Sequence, residues 1–123
     1  MSPHPPSFDH MLDAWNERDP TRVRGHLDKA LADGVVFIDP TIETHGVDEF
    51  EQNVREFRAR YPTATLRRSS AVDSHHNLHR YSWEIAVDGK VILPGFDVTE
   101  TNADGKVVRV LGFFGPLPKL TAV

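Results

Sequence analysis

The sequence predicts an α+β fold in which a curved, cone-shaped antiparallel sheet packs against three N-terminal helices. Two observations support this prediction. Apolar residues recur at helical spacing through most of the chain up to Tyr61, and at strand spacing from Thr63 onward. Helices that precede a run of hairpin-connected strands are typical of α+β folds, with the helices on one face of the sheet. We expect an internal pocket in the hollow between the two layers.

Length and composition indicate one small domain. The chain has 123 residues, of which 39% are hydrophobic and 26% charged, as in ordinary globular proteins. Its net charge of -4 argues against nucleic acid or an anionic membrane as partner. The absence of cysteine excludes disulfides, thiol nucleophiles and thiolate metal sites. Neither a membrane-spanning apolar run nor a signal-peptide pattern is visible, so we expect a cytoplasmic protein.

One domain is expected from residue 8 to residue 116. The first seven residues contain three prolines and are predicted to form a disordered arm. Residues 117–123 are predicted to form a C-terminal tail. No internal repeat is visible between these limits, so a second domain is not expected.

Three helices are predicted from apolar spacing and from their end signals. The first begins at Phe8, where a stripe with spacing i, i+3, i+4 and i+7 starts. Asp19-Pro20 begins the second, with Asp as N-cap and Pro at the first helical position, and Asp33-Gly34 ends it. The third follows Gly46 and ends before Pro62. Acidic residues in its first turns and arginines in its last turns match the helix dipole.

Five strands are predicted. The first is the β-branched and aromatic run Val35–Ile38, which Asp39-Pro40 closes, and a loop from Thr41 to His45 follows. The other four strands are expected at about 64–73, 78–87, 91–101 and 107–115. The turns between them are predicted at Ser74–Asn77, Asp88-Gly89 and Asp104-Gly105.

Two aspartates occupy positions where aspartate is a poor structural choice. Asp39 shares the strand parity of the apolar residues before it, where a buried carboxylate costs free energy unless it is hydrogen-bonded or protonated. The alternative is a turn aspartate that binds its own backbone. Asp97 lies in the middle of a predicted strand, where aspartate is depleted. It faces either solvent or the hollow, and burial in the hollow would raise its pKa.

The histidines give a weaker signal. His79 shares a strand face with Tyr81 and Trp83, so it either lines the pocket or is a hydrogen-bonded core histidine. His75 and His76 are predicted as exposed turn residues. No metal site is predicted, because no second pair of ligands completes a typical spacing. Serine-nucleophile, phosphate-loop and HExxH patterns are missing from the sequence.

The order of elements and three local strings resemble the nuclear transport factor 2-like superfamily, in particular its SnoaL-like and ketosteroid isomerase-like members. The resemblance extends from about Phe8 to Pro116. Because this superfamily contains enzymes, binding proteins and uncharacterised members, the resemblance is stronger for fold than for activity. The strings are Trp15–Asp19, Phe37–Pro40 with His45-Gly46, and Phe96–Val98 with Asp104–Val107.

The resemblance implies roles for both aspartates. Asp39 falls where ketosteroid isomerases hold the general base, and Asp97 falls where they hold the protonated aspartic acid of the oxyanion hole. In SnoaL-like cyclases the acid/base aspartate lies on a strand similar to that of Asp97. The chain departs from the isomerase pattern at Met11, where those enzymes have a tyrosine; Tyr81 or His79 are candidates to replace it.

The predicted function is that of a small-molecule isomerase or polyketide cyclase-like enzyme. It would abstract a proton next to a carbonyl in a hydrophobic pocket, with Asp39 and Asp97 as catalytic residues and no cofactor. The alternative is a non-catalytic module that binds a hydrophobic ligand or serves as a dimeric interaction module. The resemblance implies a homodimer through the sheet. The predicted pocket residues are Met11, Trp15, Phe37, His79, Tyr81, Trp83 and Phe114.

Overall fold

The computed structural model describes residues 4–121. These residues form three helices and seven strands, which confirms the predicted α+β fold with its internal pocket. None of the described helices combines the length and apolar character needed to cross a bilayer. The elements are α1 (Pro6–Asn16), α2 (Pro20–Ala30), β1 (Leu31–Asp39), β2 (Ile42–His45), α3 (Val47–Arg60), β3 (Thr65–Arg68), β4 (Asp73–His75), β5 (Leu78–Val87), β6 (Lys90–Thr101) and β7 (Val107–Phe114).

The strands form one curved, open sheet with the order β2-β1-β7-β6-β5-β3, and β4 pairs with β5 beside β3. The pairings are antiparallel except that of β1 with β7, which is parallel, so the sheet is mixed rather than purely antiparallel. The physical reason is the connection, because β1 and β7 are joined through α3 and the rest of the sheet rather than by a hairpin.

Two boundaries near the N-terminus differ from those predicted. Helix α1 begins at Pro6 rather than Phe8, with proline in its first turn, where its missing N–H costs nothing. Helix α2 ends at Ala30, so Asp33-Gly34 lies inside β1 rather than ending the helix. Leu31 already pairs with β7, and the strand register shifts between Leu31 and Val36, the stretch that contains Asp33-Gly34. Residues 1–3 of the predicted arm and residues 122–123 of the predicted tail lie outside the described residues.

The predicted loop Thr41–His45 is largely a strand. The Asp39 side chain accepts hydrogen bonds from the backbone N–H groups of Thr41 and Ile42, which tightens the turn and returns β2 along β1. The predicted strand 64–73 is divided into β3 and β4, which extends to His75 in the predicted turn. Between them Ser70 Oγ replaces a backbone partner by accepting from an N–H of β5.

The helices cover the concave face of the sheet, and the core lies between the two layers. The outer face carries Phe113, which is 61% exposed, and a homodimer through this face stays a prediction. The largest fully buried side chains are Phe8, Phe50, Leu27, Val23, Val35, Val54, Val107, Val110 and Thr99.

Two polar side chains connect the helices to the edge of the sheet. Asn16 at the end of α1 donates to the backbone oxygen of Leu66 and accepts from its N–H, both at 2.8 Å. Arg58 of α3 donates to the carbonyl oxygens of Trp15 and Ala64, at 3.3 and 2.6 Å. These contacts hold α1 and α3 beside β3 and thereby form one wall of the cavity described below.

Candidate functional site

A cavity of about 590 Å³ lies between the concave face of the sheet and helices α1 and α3. Its volume falls within the range typical of small-molecule pockets. Six of the seven predicted pocket residues line it: Met11, Trp15, Phe37, Tyr81, Trp83 and Phe114. The walls are therefore mainly aromatic and aliphatic.

His79 is the predicted pocket residue that lies away from the cavity. Its ring is buried, with Nδ1 at 2.7 Å from Ser74 Oγ and Nε2 at 3.0 Å from Thr101 Oγ1. Phe8 of α1 packs against it edge-on and closes this end of the sheet. Burial lowers the pKa of His79, which favours the neutral ring. Of the two interpretations of the sequence, the hydrogen-bonded core histidine is the one that fits this environment.

Asp39 and Asp97 both line the cavity and approach one another across Gly112. Asp97 of β6 pairs with Gly112 of β7, while Ile38 pairs with Leu111, which places Asp39 beside the same glycine. A Cβ added to Gly112 would lie 3.1 Å from Asp97 Oδ1 and 3.3 Å from the Cβ of Asp39. Glycine thus leaves the space that two carboxyl groups share across three neighbouring strands.

Asp97 faces inward, and burial raises its pKa to about 6. Hydrogen bonds from Trp83 and Tyr81 act in the opposite direction, and the negative charge of Asp39 adds to the rise. The Trp83 bond runs from Nε1 to Asp97 Oδ1 at 2.9 Å. Burial and the charge of Asp97 raise the pKa of Tyr81, so its phenol stays a neutral group 3.3 Å from Thr99 Oγ1.

Both interpretations of Asp39 hold at once, because it caps a turn and also lines the cavity. Its Oδ1 accepts from Thr41 N at 2.8 Å, Thr41 Oγ1 at 2.7 Å and Ile42 N at 3.1 Å. All three bonds end on the same oxygen. Within residues 4–121 no donor reaches Oδ2, which leaves that oxygen available to a ligand.

Two strand glycines that the sequence analysis did not single out shape this site. Gly95 pairs with Trp83, and a Cβ added to it would overlap the indole ring. The ring can therefore lie across Gly95 and reach Asp97. Gly112 makes room for the two carboxyl groups in the same way. A glycine inside a strand is a known sign of close approach, so the signal was present in the sequence.

Polar residues of α3 at the cavity were also missed. Asn53, Glu56 and Arg60 line it at spacings of three and four residues, on one face of the helix. The apolar face and the charged end turns predict helix α3, but polar residues outside the apolar face normally face solvent. No sequence signal distinguishes these three from other solvent-facing residues.

Among residues 4–121, no three histidine, aspartate or glutamate side chains converge as metal ligands. His75 and His76 are exposed, and their Nδ1 atoms lie 3.1 Å apart.

The family of the chain follows from comparison with known proteins. A family model described as the SnoaL-like domain matches residues 8–110. The chain belongs to the SnoaL-like family. The resemblance predicted from local strings is thereby confirmed. Among proteins with curated functions, none matches this SnoaL-like protein significantly.

Solved structures share the fold over most of their length. A proposed isomerase of the SnoaL-like family from Agrobacterium tumefaciens is 28% identical, with a TM-score of 0.85 over 92% of this chain and 97% of that one. An NTF2-like protein of unknown function from Exiguobacterium sp. 255-15 is 23% identical, with a TM-score of 0.73 over 90% and 99%. A proposed SnoaL-like polyketide cyclase from Jannaschia sp. CCS1 is 13% identical, with a TM-score of 0.67 over 93% and 89%.

Proposed function

We propose that this SnoaL-like protein transfers a proton next to the carbonyl group of an apolar small molecule, as an isomerase or an aldol-type cyclase does. The observation that carries the proposal is the pair Asp39 and Asp97, which share an apolar cavity across Gly112. Two acids in different environments are typical of acid–base sites. The names of the similar Agrobacterium and Jannaschia proteins, a proposed isomerase and a proposed cyclase, support the same reaction class.

Asp39 is the proton acceptor in this proposal. Three donors on Oδ1 hold its carboxylate in place and leave Oδ2 for the proton of the substrate carbon. Because two of those donors are backbone N–H groups of the turn after β1, the carboxylate is positioned by the fold itself.

Asp97 is the hydrogen-bond donor to the developing enolate oxygen. Its pKa of about 6 leaves it mostly ionised at pH 7 in the open cavity. Burial is the largest cause of that raised pKa, so an apolar ligand that displaces water raises it further and favours proton uptake. The Trp83 N–H donates to Oδ1, and in this proposal Oδ2 carries the acidic proton.

The reaction then balances without any further group. The carbon next to the carbonyl gives its proton to Asp39, and the C–H electron pair forms the enolate, whose oxygen accepts the hydrogen bond from Asp97. In isomerisation Asp39 returns the proton to another carbon of the conjugated system. In cyclisation the enolate carbon attacks a second carbonyl of the same ligand, whose π electron pair moves to its oxygen, and that oxygen then takes the proton from Asp39. Once the ligand has displaced water, the apolar walls strengthen the hydrogen bond to the enolate oxygen.

The direct test uses a cyclic β,γ-unsaturated ketone, whose isomerisation to the conjugated enone is followed by ultraviolet absorbance. Asp39→Asn keeps the Oδ1 acceptor for Thr41 and Ile42 but loses the base, so we expect turnover to fall at least ~10²-fold. Folding by circular dichroism and ligand affinity should change little. Asp13→Asn, at an exposed position of α1, is the matched control. Undiminished turnover in Asp39→Asn would remove Asp39 from the mechanism.

A second candidate function is binding of an apolar ligand without chemistry. Met11 favours it, because this side chain lines the cavity and cannot donate a hydrogen bond to an oxyanion. This alternative predicts saturable binding with no chemical change, and the same affinity in Asp39→Asn. Absorbance and calorimetry on the same samples separate the two functions.

A further inference from the structure

The mouth of the cavity carries a cation without a counter-ion. Within the part of the chain that the structure describes, Arg60 makes no hydrogen bond and no ion pair. By contrast Arg68, the other arginine on the cavity wall, donates to Asp9 Oδ1 at 2.6 Å. The exposed lining residues that mark the mouth are Thr41, Glu56, Arg60, Tyr61 and Ile92.

A second positive charge lies just behind this part of the wall. Arg58 is buried, and its guanidinium donates only to carbonyl oxygens, those of Trp15, Pro62 and Ala64. Its Cζ lies 5.9 Å from the centroid of the Phe57 ring, which lines the cavity. The C-terminal end of α3 therefore presents positive charge that no carboxylate neutralises among these contacts.

The opposing charge at the mouth is Glu56, one turn before Arg60 on the same helix face. The two side chains form no ion pair with one another within residues 4–121. Arg18 adds a further positive charge near Arg58. Burial is the largest cause that lowers the pKa of the Arg58 guanidinium, and repulsion from Arg18 lowers it further. Cations thus outnumber the carboxylate at this end, whereas the two aspartates lie on the sheet.

We propose that the ligand of this cavity is an apolar keto acid, whose carboxylate binds Arg60 at the mouth while its carbonyl lies against Asp97. A guanidinium binds a carboxylate with two parallel hydrogen bonds, which adds orientation to affinity. An acidic group is repelled by Asp39 and Asp97, so the ligand enters with its carbonyl end first. The position of the carbonyl rests on the proposed function; the position of the carboxylate does not.

The test uses two unreactive ligands of one shape, 2-naphthoic acid and 2-naphthamide, measured by isothermal titration calorimetry at pH 8 and low salt. We expect the acid to bind at least about tenfold more tightly than the amide, with a preference that declines as salt is added. Arg60→Gln should abolish this preference and Arg60→Lys should retain part of it. Glu56→Gln should increase it, because a like charge is removed from the mouth.

Arg55→Gln is the matched control. This arginine belongs to the same helix but pairs with Glu51 and does not line the cavity, so the preference for the acid should persist. Equal affinities for acid and amide, or a preference unchanged in Arg60→Gln, would overturn the inference. Turnover of the neutral β,γ-unsaturated ketone tests the aspartates separately, so a lost acid preference with retained turnover rejects only the keto-acid assignment.

Discussion

His79 and Asp97 lie on the same face of neighbouring strands, yet their surroundings differ. In the register of β5 and β6, His79 is opposite Thr99, and Asp97 is opposite Tyr81 two residues along. At the histidine both ring nitrogens have hydrogen-bond partners and Phe8 covers the ring. At Asp97 the helices do not pack against the sheet, and the side chain lines the cavity.

The difference shows what separates a structural ionisable group from a candidate catalytic one. Burial disfavours the charged form of both, which lowers the pKa of His79 and raises that of Asp97. Hydrogen bonds to fixed neighbours satisfy the histidine. The aspartate has a free side toward the cavity, so its proton is available to a ligand.

The first prediction compares how the loss of each side chain affects turnover of the β,γ-unsaturated ketone. Asp97→Ala removes the donor to the enolate oxygen, so kcat/KM should fall ~10²–10³-fold. His79→Gln should leave kcat/KM within a few-fold of wild type, because His79 lies outside the cavity. A large loss in His79→Gln, with folding intact by circular dichroism, would contradict the comparison.

The second prediction concerns the pH dependence of turnover. Because Asp97 must be protonated to donate and its pKa in the free protein is about 6, kcat/KM should fall as pH rises through about 6. The decline should approach tenfold per pH unit, and Asp97→Asn should lack the break near 6. A rise through the same range would show that Asp97 acts as the base, which would reverse the assigned roles.

The third prediction concerns the pH dependence of stability, to which Asp97 and His79 should contribute slopes of opposite sign. The pKa of Asp97 is 3.8 in the unfolded chain and about 6 in the folded protein. Between these two pH values the folded protein binds more protons at Asp97 than the unfolded chain does, so the free energy of unfolding falls as pH rises. Asp97→Asn should therefore stabilise the protein by up to about 3 kcal/mol at pH 8 and by little at pH 4.

At His79 the unfolded chain binds more protons than the folded protein does once pH falls below 6.5, so the free energy of unfolding falls as pH falls. The difference in unfolding free energy between wild type and the less stable His79→Gln should thus become smaller as pH is lowered toward 5. Urea unfolding of both variants at several pH values measures the two slopes. Slopes of the same sign would reject the contrast between the groups.

The fourth prediction concerns the space between the aspartates. In Gly112→Ala the new Cβ meets Asp97 Oδ1 at 3.1 Å and the Cβ of Asp39 at 3.3 Å, so both side chains must shift by a few tenths of an ångström. We expect a loss of about 1–2 kcal/mol in stability and a measurable fall in kcat. Gly34→Ala, whose Cβ meets nothing within 4 Å, is the control. An equal effect of both substitutions on kcat would argue against a shared space at Gly112.

The elements predicted well are those whose signals are local. Helix α3 spans Val47–Arg60, between the glycine and proline that were expected to bound it. Strand β5 spans Leu78–Val87, as alternation and the Asp88-Gly89 turn predicted. The residues that begin and end each of these segments lie within or next to it, so a single sequence is enough to predict its bounds.

The elements predicted wrongly are those that pairing with another strand determines. Leu31 continues an apolar helical face in the sequence but pairs with Val107 on β7. The segment Ile42–His45 has little strand character of its own and becomes β2 because it pairs with β1. A long-range pairing at Leu31 and a hairpin pairing at Ile42–His45 thus outweigh local propensity.

Local patterns predict the three helices and the strands of the meander. They also mark Asp39 and Asp97 as unusual, because burial of a carboxylate conflicts with the apolar pattern around it. The folded arrangement is needed to show that Phe8 covers His79 while the helices leave Asp97 open, and that Gly112 brings the two carboxyl groups together. Local propensity acts within a few residues of the chain. A cavity is the space that side chains from distant segments leave unfilled, so only the folded arrangement shows where it lies.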